Sequence, residues 1–205
     1  GIVNQLGCQR AIESGTTLPK VLQLIAQLRQ EKCQVPLVLF TYYNPVFAFG
    51  REKFEAAATQ AGADGLLILD LPPEEAAHDL PPGSPLRRIV LVAPTTPEAR
   101  VRSVVSTASG FIYYVSREGV TGMQQNLPTT LHEKVSFLKK STPLPVCVGF
   151  GISDPSQAAQ VAALADGVVV GSAIVDRIAK HGRSPQLIPE ITAFLKPIAQ
   201  AVHAA

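Results

Sequence analysis

Apolar positions along the chain switch repeatedly between two periods. After Thr17 and Pro19, residues Leu18, Val21, Leu22, Ile25 and Leu28 recur at helical spacing, which predicts an amphipathic helix with proline in its first turn. Pro36 to Tyr43 is a short, nearly continuous apolar run, the pattern of a strand buried on both faces. A second helix is predicted from about Arg51, with Gly62 placed to close it in the left-handed conformation that C-terminal caps favour. Gly65 to Asp70 reads as the next strand, stopped by Pro72 and Pro73, with Glu74 and Glu75 at a helix start where acidic side chains suit the dipole. Arg88 to Ala93 is a strand after a poor, proline-interrupted helix, and Pro97 to Ala108 is helical with Gly110 ending it. Phe111 to Ser116, Pro145 to Gly149 and Gly167 to Gly171 complete the strands, each followed by a helical stretch.

Six strands alternating with helices predict a parallel α/β sheet with right-handed crossovers. An open doubly wound sheet would be complete with that number, whereas a (β/α)8 barrel needs eight strands and typically about 250 residues. The start of the chain favours the barrel. Gly1 to Leu6 offers neither a cap nor a leading strand, and Ile12 precedes Gly15 as though a helix ends there, so the sequence opens inside a βα unit. The expectation is a single (β/α) barrel domain over residues 1–205, a (β/α)8 TIM barrel of which this chain supplies about six βα units and whose first two are not in this sequence. Such a barrel exposes two sheet edges, an aggregation liability.

Composition narrows the function. With 205 residues and 46% hydrophobic content, there is enough apolar material for a sizeable core. The net charge of +2 is spread along the chain, without the clustered basic stripe of a nucleic-acid groove. No apolar run approaches the ~18 residues of a membrane span, and no secretory leader is seen. Cys8, Cys33 and Cys147 are odd in number and lack a CxxC pair, which points to reduced thiols in a cytoplasmic compartment, or a plastid after loss of a transit peptide if the source is a plant. His78, His132, His181 and His203 have no metal-ligand spacing, so no metal site is expected.

Three glycine-marked turns carry the first functional signal: Gly119 to Gly122, Gly149 to Ser153 and Val170 to Val175. Converging backbone amides at glycine turns and helix N-termini cradle a phosphate, and turns after the last two strands form the usual phosphate site of a (β/α) barrel. Any one of them alone is more readily a simple strand-to-helix connector. Three in succession, one with Ser172 directly after its glycine, point to a small phosphate ester.

The segment Tyr113 to Gly122 (YYVSREGVTG) closely resembles the sixth strand and following loop of the tryptophan synthase α subunit family. Tyr42 to Pro45, Asp70 to Pro73, Ala93 to Pro97, Gly149 to Ser153 and Gly171 to Val175 match further motifs, in the family's order and over essentially the whole chain. The resemblance implies a (β/α)8 fold and aldol cleavage of indole-3-glycerol phosphate to indole and glyceraldehyde 3-phosphate in tryptophan biosynthesis. It implies no cofactor in this subunit, with pyridoxal phosphate on a β-subunit partner in an α2β2 complex, and no nucleic-acid or membrane partner.

By the same resemblance, the reaction's two carboxylates, a Glu at the end of the second strand and an Asp in the loop after it, precede Gly1. Tyr113 and Thr121 support them: Tyr113 orients the Glu or the glycerol chain, and Thr121 meets the Asp when its loop closes. Gly119 and Gly122 are hinges of that lid, and Arg117 holds it closed, faces the partner or is simply solvated. Gly122, Phe150, Gly151, Gly171 and Ser172 map onto the phosphate pocket, with Gly149 and Val169 lining its approach. Residues two apart on a strand share a face, so Phe40 with Tyr42, and Leu67 with Leu69, join Val92 and Tyr113 in an apolar slot for indole. Without the resemblance, these bulky strand residues read as barrel core. Asp70 reads as structural, bonding nearby loop amides, ahead of catalytic. Asn44 and Pro45 match positions near the β-subunit interface and are also a plain turn signal. Two alternatives stay open: a fragment or module that binds a phosphate ester or the β subunit without turnover, and another phosphate-handling barrel enzyme.

Overall fold

A computed structural model of the chain describes residues 1–76, 80, 83–116, 129–149 and 151–205, with the side chains of Ala76 and Thr129 outside the description. The elements follow the alternation expected from the sequence: α1 (Ile2–Glu13), α2 (Leu18–Gln30), β1 (Val38–Thr41), α3 (Tyr43–Phe49), α4 (Arg51–Ala61), β2 (Gly65–Ile68) and α5 (Pro73–Ala76). They continue with β3 (Arg87–Arg88), β4 (Val90–Val92), α6 (Glu98–Ser106), β5 (Ile112–Val115), α7 (Thr129–Ser141), β6 (Val146–Gly149), α8 (Pro155–Ala162), β7 (Gly167–Val169), α9 (Ser172–His181) and α10 (Leu187–His203). Two sheets hold the strands in the orders β1-β2-β3 and β4-β5-β6-β7. The β1–β2, β2–β3 and β6–β7 pairings are parallel.

The chain divides into two compact units, one formed by Gly15–Leu91 and Pro97–Ile112, the other by Gly1–Ser14, Val92–Thr96 and Tyr113–Ala205. In the first, Leu39 of β1 and Leu66 of β2 pack with Leu22 and Ile25 of α2, Val46 of α3 and Phe54, Ala58 and Ala61 of α4. Strand alternation therefore turns Phe40 and Leu67, one step along, to the opposite face of the sheet. In the second unit α10 packs on α8 and α9, and α1 packs on α9.

One capping device occurs twice. In the segments Ala63-Asp64-Gly65 and Ala165-Asp166-Gly167, an aspartate sits just before a strand. The Asp64 amide donates to the Leu37 carbonyl at 2.9 Å, and the Asp64 carboxylate accepts from the Leu37 amide at 2.6 Å. Asp166 and Val146 repeat this reciprocal pair at 2.9 Å in both directions. Asp64 thereby satisfies the amide just before β1 and Asp166 the first amide of β6, fixing register where each pair of strands begins. Each also has a cation beside it, Arg29 at Asp64 and Lys139 at Asp166.

Three local expectations are corrected. Asn44 and Pro45 do not form a turn; they lie in the first helical turn of α3, where proline's missing N–H has no intrahelical acceptor to lose. Arg88 to Ala93 is not one strand. The ladder breaks at Ile89, whose amide bonds the Leu66 carbonyl at 2.9 Å while its side chain is buried, so β3 pairs with β2 and β4 belongs to the other sheet. Gly110 does not close α6, which ends at Ser106 with Thr107 as its cap. A Cβ at Gly110 would lie 3.2 Å from Arg87 Cβ and 3.3 Å from Ile89, a tight fit against β3 and the residue after it. Gly62 behaves as expected, at φ 90° and ψ 28° after α4.

Candidate active site

The described phosphate candidates, Gly151, Gly171 and Ser172, follow the C-terminal ends of β6 and β7. After β6, Gly151 sits at φ +65°, a left-handed conformation suited to glycine, and a Cβ there would meet open space. The chain then enters α8 through a side-chain cap: Asp154 Oδ1 accepts from the Gln157 amide at 3.0 Å, Pro155 occupies the first turn, and Gln157 Oε1 accepts from the Ser153 amide at 3.0 Å.

The end of α9 is different. Gly171 caps it through its carbonyl alone, accepting from Ile174 at 2.9 Å and Val175 at 3.2 Å, with no side-chain cap. Among the described residues, the amides of Ser172 and Ala173 and the Ser172 hydroxyl have no hydrogen-bond partner. Gly171 and Ser172 are exposed, and no atom lies within 4 Å of a Cβ built on Gly171. Unsatisfied donors at an open helix N-terminus suit an anion, through both the amides and the dipole.

Beside this end, Tyr113, Gly149 and Val169 lie on the consecutive strands β5, β6 and β7. Gly149 and Val169 are register partners, and the Ser116 amide donates to the Gly149 carbonyl at 3.1 Å. The Tyr113 ring lies over Gly149 so closely that a Cβ on the glycine would be 2.5 Å from the phenol oxygen. Burial raises the Tyr113 phenol above its ordinary pKa, so it stays protonated at neutral pH and able to donate a hydrogen bond. Val92, in the same unit, is buried.

In the other unit, Phe40 and Leu67 are register partners on neighbouring strands, so they stand side by side as expected. Leu67 is buried, whereas Phe40, Tyr42 and Leu69 are exposed. Asp70 has the structural role expected of it: its Oδ1 accepts from the Tyr43 amide at 2.7 Å, placing a carboxylate at the start of α3. Arg117, Gly119, Thr121, Gly122 and Phe150 lie outside the described residues. Sequence reasoning does not reveal that Ser116 is buried at the end of β5, nor that the glycine turn before α9, unlike the one before α8, has no side-chain cap. The described residues include no cluster of His, Cys, Asp and Glu able to hold a metal, and no helix long and apolar enough to cross a membrane.

Comparison with known proteins gives one answer. A family model described as tryptophan synthase alpha chain matches residues 1–203. The tryptophan synthase alpha chain of Opitutus terrae is 48% identical over 207 residues, covering 97% of this chain and 74% of that protein. That of Geobacter sulfurreducens is 46% identical over 200 residues, with 97% and 75% covered. Among solved structures, the α subunit from Legionella pneumophila superposes with a TM-score of 0.89 at 33% identity, covering 100% of this chain and 77% of that one. A structure describing mutual activation in the tryptophan synthase α2β2 complex of Pyrococcus furiosus also gives 0.89, at 30% identity, with 98% and 81% covered. These neighbours are TIM barrels, and the parallel α/β units described above are built on that fold. The chain belongs to the tryptophan synthase alpha chain family, a lyase subunit of tryptophan biosynthesis.

Proposed function

We propose that this chain serves the aldol cleavage of indole-3-glycerol phosphate to indole and glyceraldehyde 3-phosphate, and that its described residues supply the binding half of the site. The observation that carries the reading is the open first turn of α9, where the Ser172 and Ala173 amides and the Ser172 hydroxyl are without partners among the described residues. The substrate's phosphate docks there, with Gly151 leaving room on the neighbouring turn. The row of Tyr113, Gly149 and Val169 lines the approach, and the protonated phenol donates to the glycerol chain or to the general acid–base carboxylate.

Cleavage breaks the bond between the indole ring and the side-chain carbon. A proton is added to the ring carbon, a side-chain hydroxyl loses its proton, and the ring N–H is held by a base. Two carboxylates in different environments divide this work. Asp70, engaged with the Tyr43 amide, is not assigned to it. No cofactor is assigned to this subunit. The indole passes to a pyridoxal-phosphate-dependent β subunit in an α2β2 assembly, and Asn44 and Pro45, exposed in the first turn of α3, belong to the face proposed for that partner.

Ser172→Asp tests the phosphate placement. A carboxylate at the start of α9 suits the helix dipole, so the fold is retained, but it repels the substrate's phosphate. The expected result is a rise in KM for indole-3-glycerol phosphate of about tenfold or more, with an unchanged melting temperature; an unchanged KM would overturn the placement.

A further inference from the structure

Helix α9 differs from α8 in how it is held. Ala158 and Val161 of α8 are buried in the core, but no residue of α9 is fully buried. Two contacts tie α9 closely to its neighbours. Val175 packs so closely on α1 that a Cβ at Gly7 would be 2.7 Å from Val175 Cγ1. The Arg177 guanidinium carbon lies 3.4 Å above the centroid of the Phe194 ring on α10, while Arg177 Nη1 donates to the Ala173 carbonyl at 3.1 Å.

The second contact spans one full turn. Ala173 belongs to the first turn of α9, whose amides are the open donors, and the guanidinium that grips its carbonyl is stacked on a ring of the neighbouring helix. Arginine suits this task because its planar cation presents a π face to an aromatic ring while its edge donates hydrogen bonds. Lysine, a point charge, would not hold both geometries at once.

We infer that Arg177 and Phe194 are positioning residues for substrate phosphate: their stack anchors the first turn of α9 to α10 and so fixes the direction of the Ser172 and Ala173 amides. The inference rests on the phosphate placement proposed above. Neither side chain touches the ligand; they act through the Ala173 peptide.

The test uses the intact protein, inorganic phosphate as probe, and titration calorimetry beside thermal melts without phosphate. Phe194→Leu is the discriminating variant, since it removes the ring yet keeps apolar bulk and leaves the arginine charge in place. Phosphate Kd is expected to rise about three- to tenfold in both Phe194→Leu and Arg177→Met, the factor that a cation–π contact of ordinary strength supplies, and to return to within about twofold of the parent in Phe194→Tyr. If only Arg177→Met weakens binding, the charge acts alone and the inference is overturned. A lower melting temperature with unchanged Kd in both variants overturns it as well, because a purely structural contact would behave that way. If the parent protein binds phosphate without dependence on Ser172, the placement itself fails and the inference falls with it.

Discussion

Replacing Gly149 by alanine adds one methyl group where the Tyr113 ring leaves no space. The new Cβ would lie 2.5 Å from the phenol oxygen, 2.7 Å from Cε2 and 3.0 Å from Cζ, against the ~3.5–4.0 Å at which carbon contacts turn favourable. Gly149 does not have a left-handed φ, so the backbone itself accepts alanine and the ring contact dominates the cost. Either the half-buried tyrosine leaves its position or β5 and β6 separate, and overpacking of this kind costs about 1–3 kcal/mol. A double-mutant cycle with Tyr113→Ala isolates the contact. Urea unfolding of the four proteins should show Gly149→Ala destabilising by about 1–3 kcal/mol in the Tyr113 background and by less than about 0.5 kcal/mol once the ring is gone. Substrate binding should also weaken in the single variant, since its ring is displaced from the approach to the phosphate site. Equal costs in both backgrounds would refute the account of this strand end.

Three further outcomes follow from particular contacts. Burial pushes the Asp166 carboxyl upward, but the Val146 amide and Lys139 outweigh it and hold its pKa below the ordinary value. That stabilisation is fully present above the unfolded carboxyl pKa of about 3.9 and disappears as pH falls through the lower folded value. Melts from pH 6 downward should therefore show the parent's advantage over Asp166→Asn shrinking below about pH 4, whereas a constant difference would contradict the assignment. Asp64→Ala strands the Leu37 amide and releases the Arg29 guanidinium, and should cost about 1–3 kcal/mol in urea unfolding; a loss under about 0.5 kcal/mol would show water replacing the carboxylate freely. Asp70→Ala removes the acceptor of the Tyr43 amide, so hydrogen exchange at Tyr43 should speed up with a global loss of about 1 kcal/mol, and unchanged protection would deny the capping role.

The alternation of periods made most elements legible, because a buried parallel strand and an amphipathic helix leave different hydrophobic spacing. Gly62 was legible for a related reason, since a glycine after a helical run marks a left-handed cap. What escaped depends on tertiary context. Asn-Pro signals a turn and a helix start equally well, and only the Asp70 carboxylate waiting at the Tyr43 amide selects the helix. The break at Ile89 lies in an unbroken apolar run, because both sides of the break need apolar residues. Gly149 looks like a turn glycine in sequence, yet its requirement comes from the Tyr113 side chain on the neighbouring strand. The turns proposed to face phosphate were visible as glycine patterns, but their inequality was not: the Asp154 side chain caps the start of α8, whereas α9 has no side-chain cap.

In the proposed function, the open α9 terminus receives the phosphate of a substrate cleaved to indole and a triose phosphate. The most direct test supplies indole-3-glycerol phosphate to the intact protein, follows indole and glyceraldehyde 3-phosphate together, and adds inorganic phosphate as competitor. Equimolar release of both products, inhibited competitively by phosphate in a Ser172-dependent manner, is the expected result. Absence of cleavage, or cleavage indifferent to phosphate, would contradict the account.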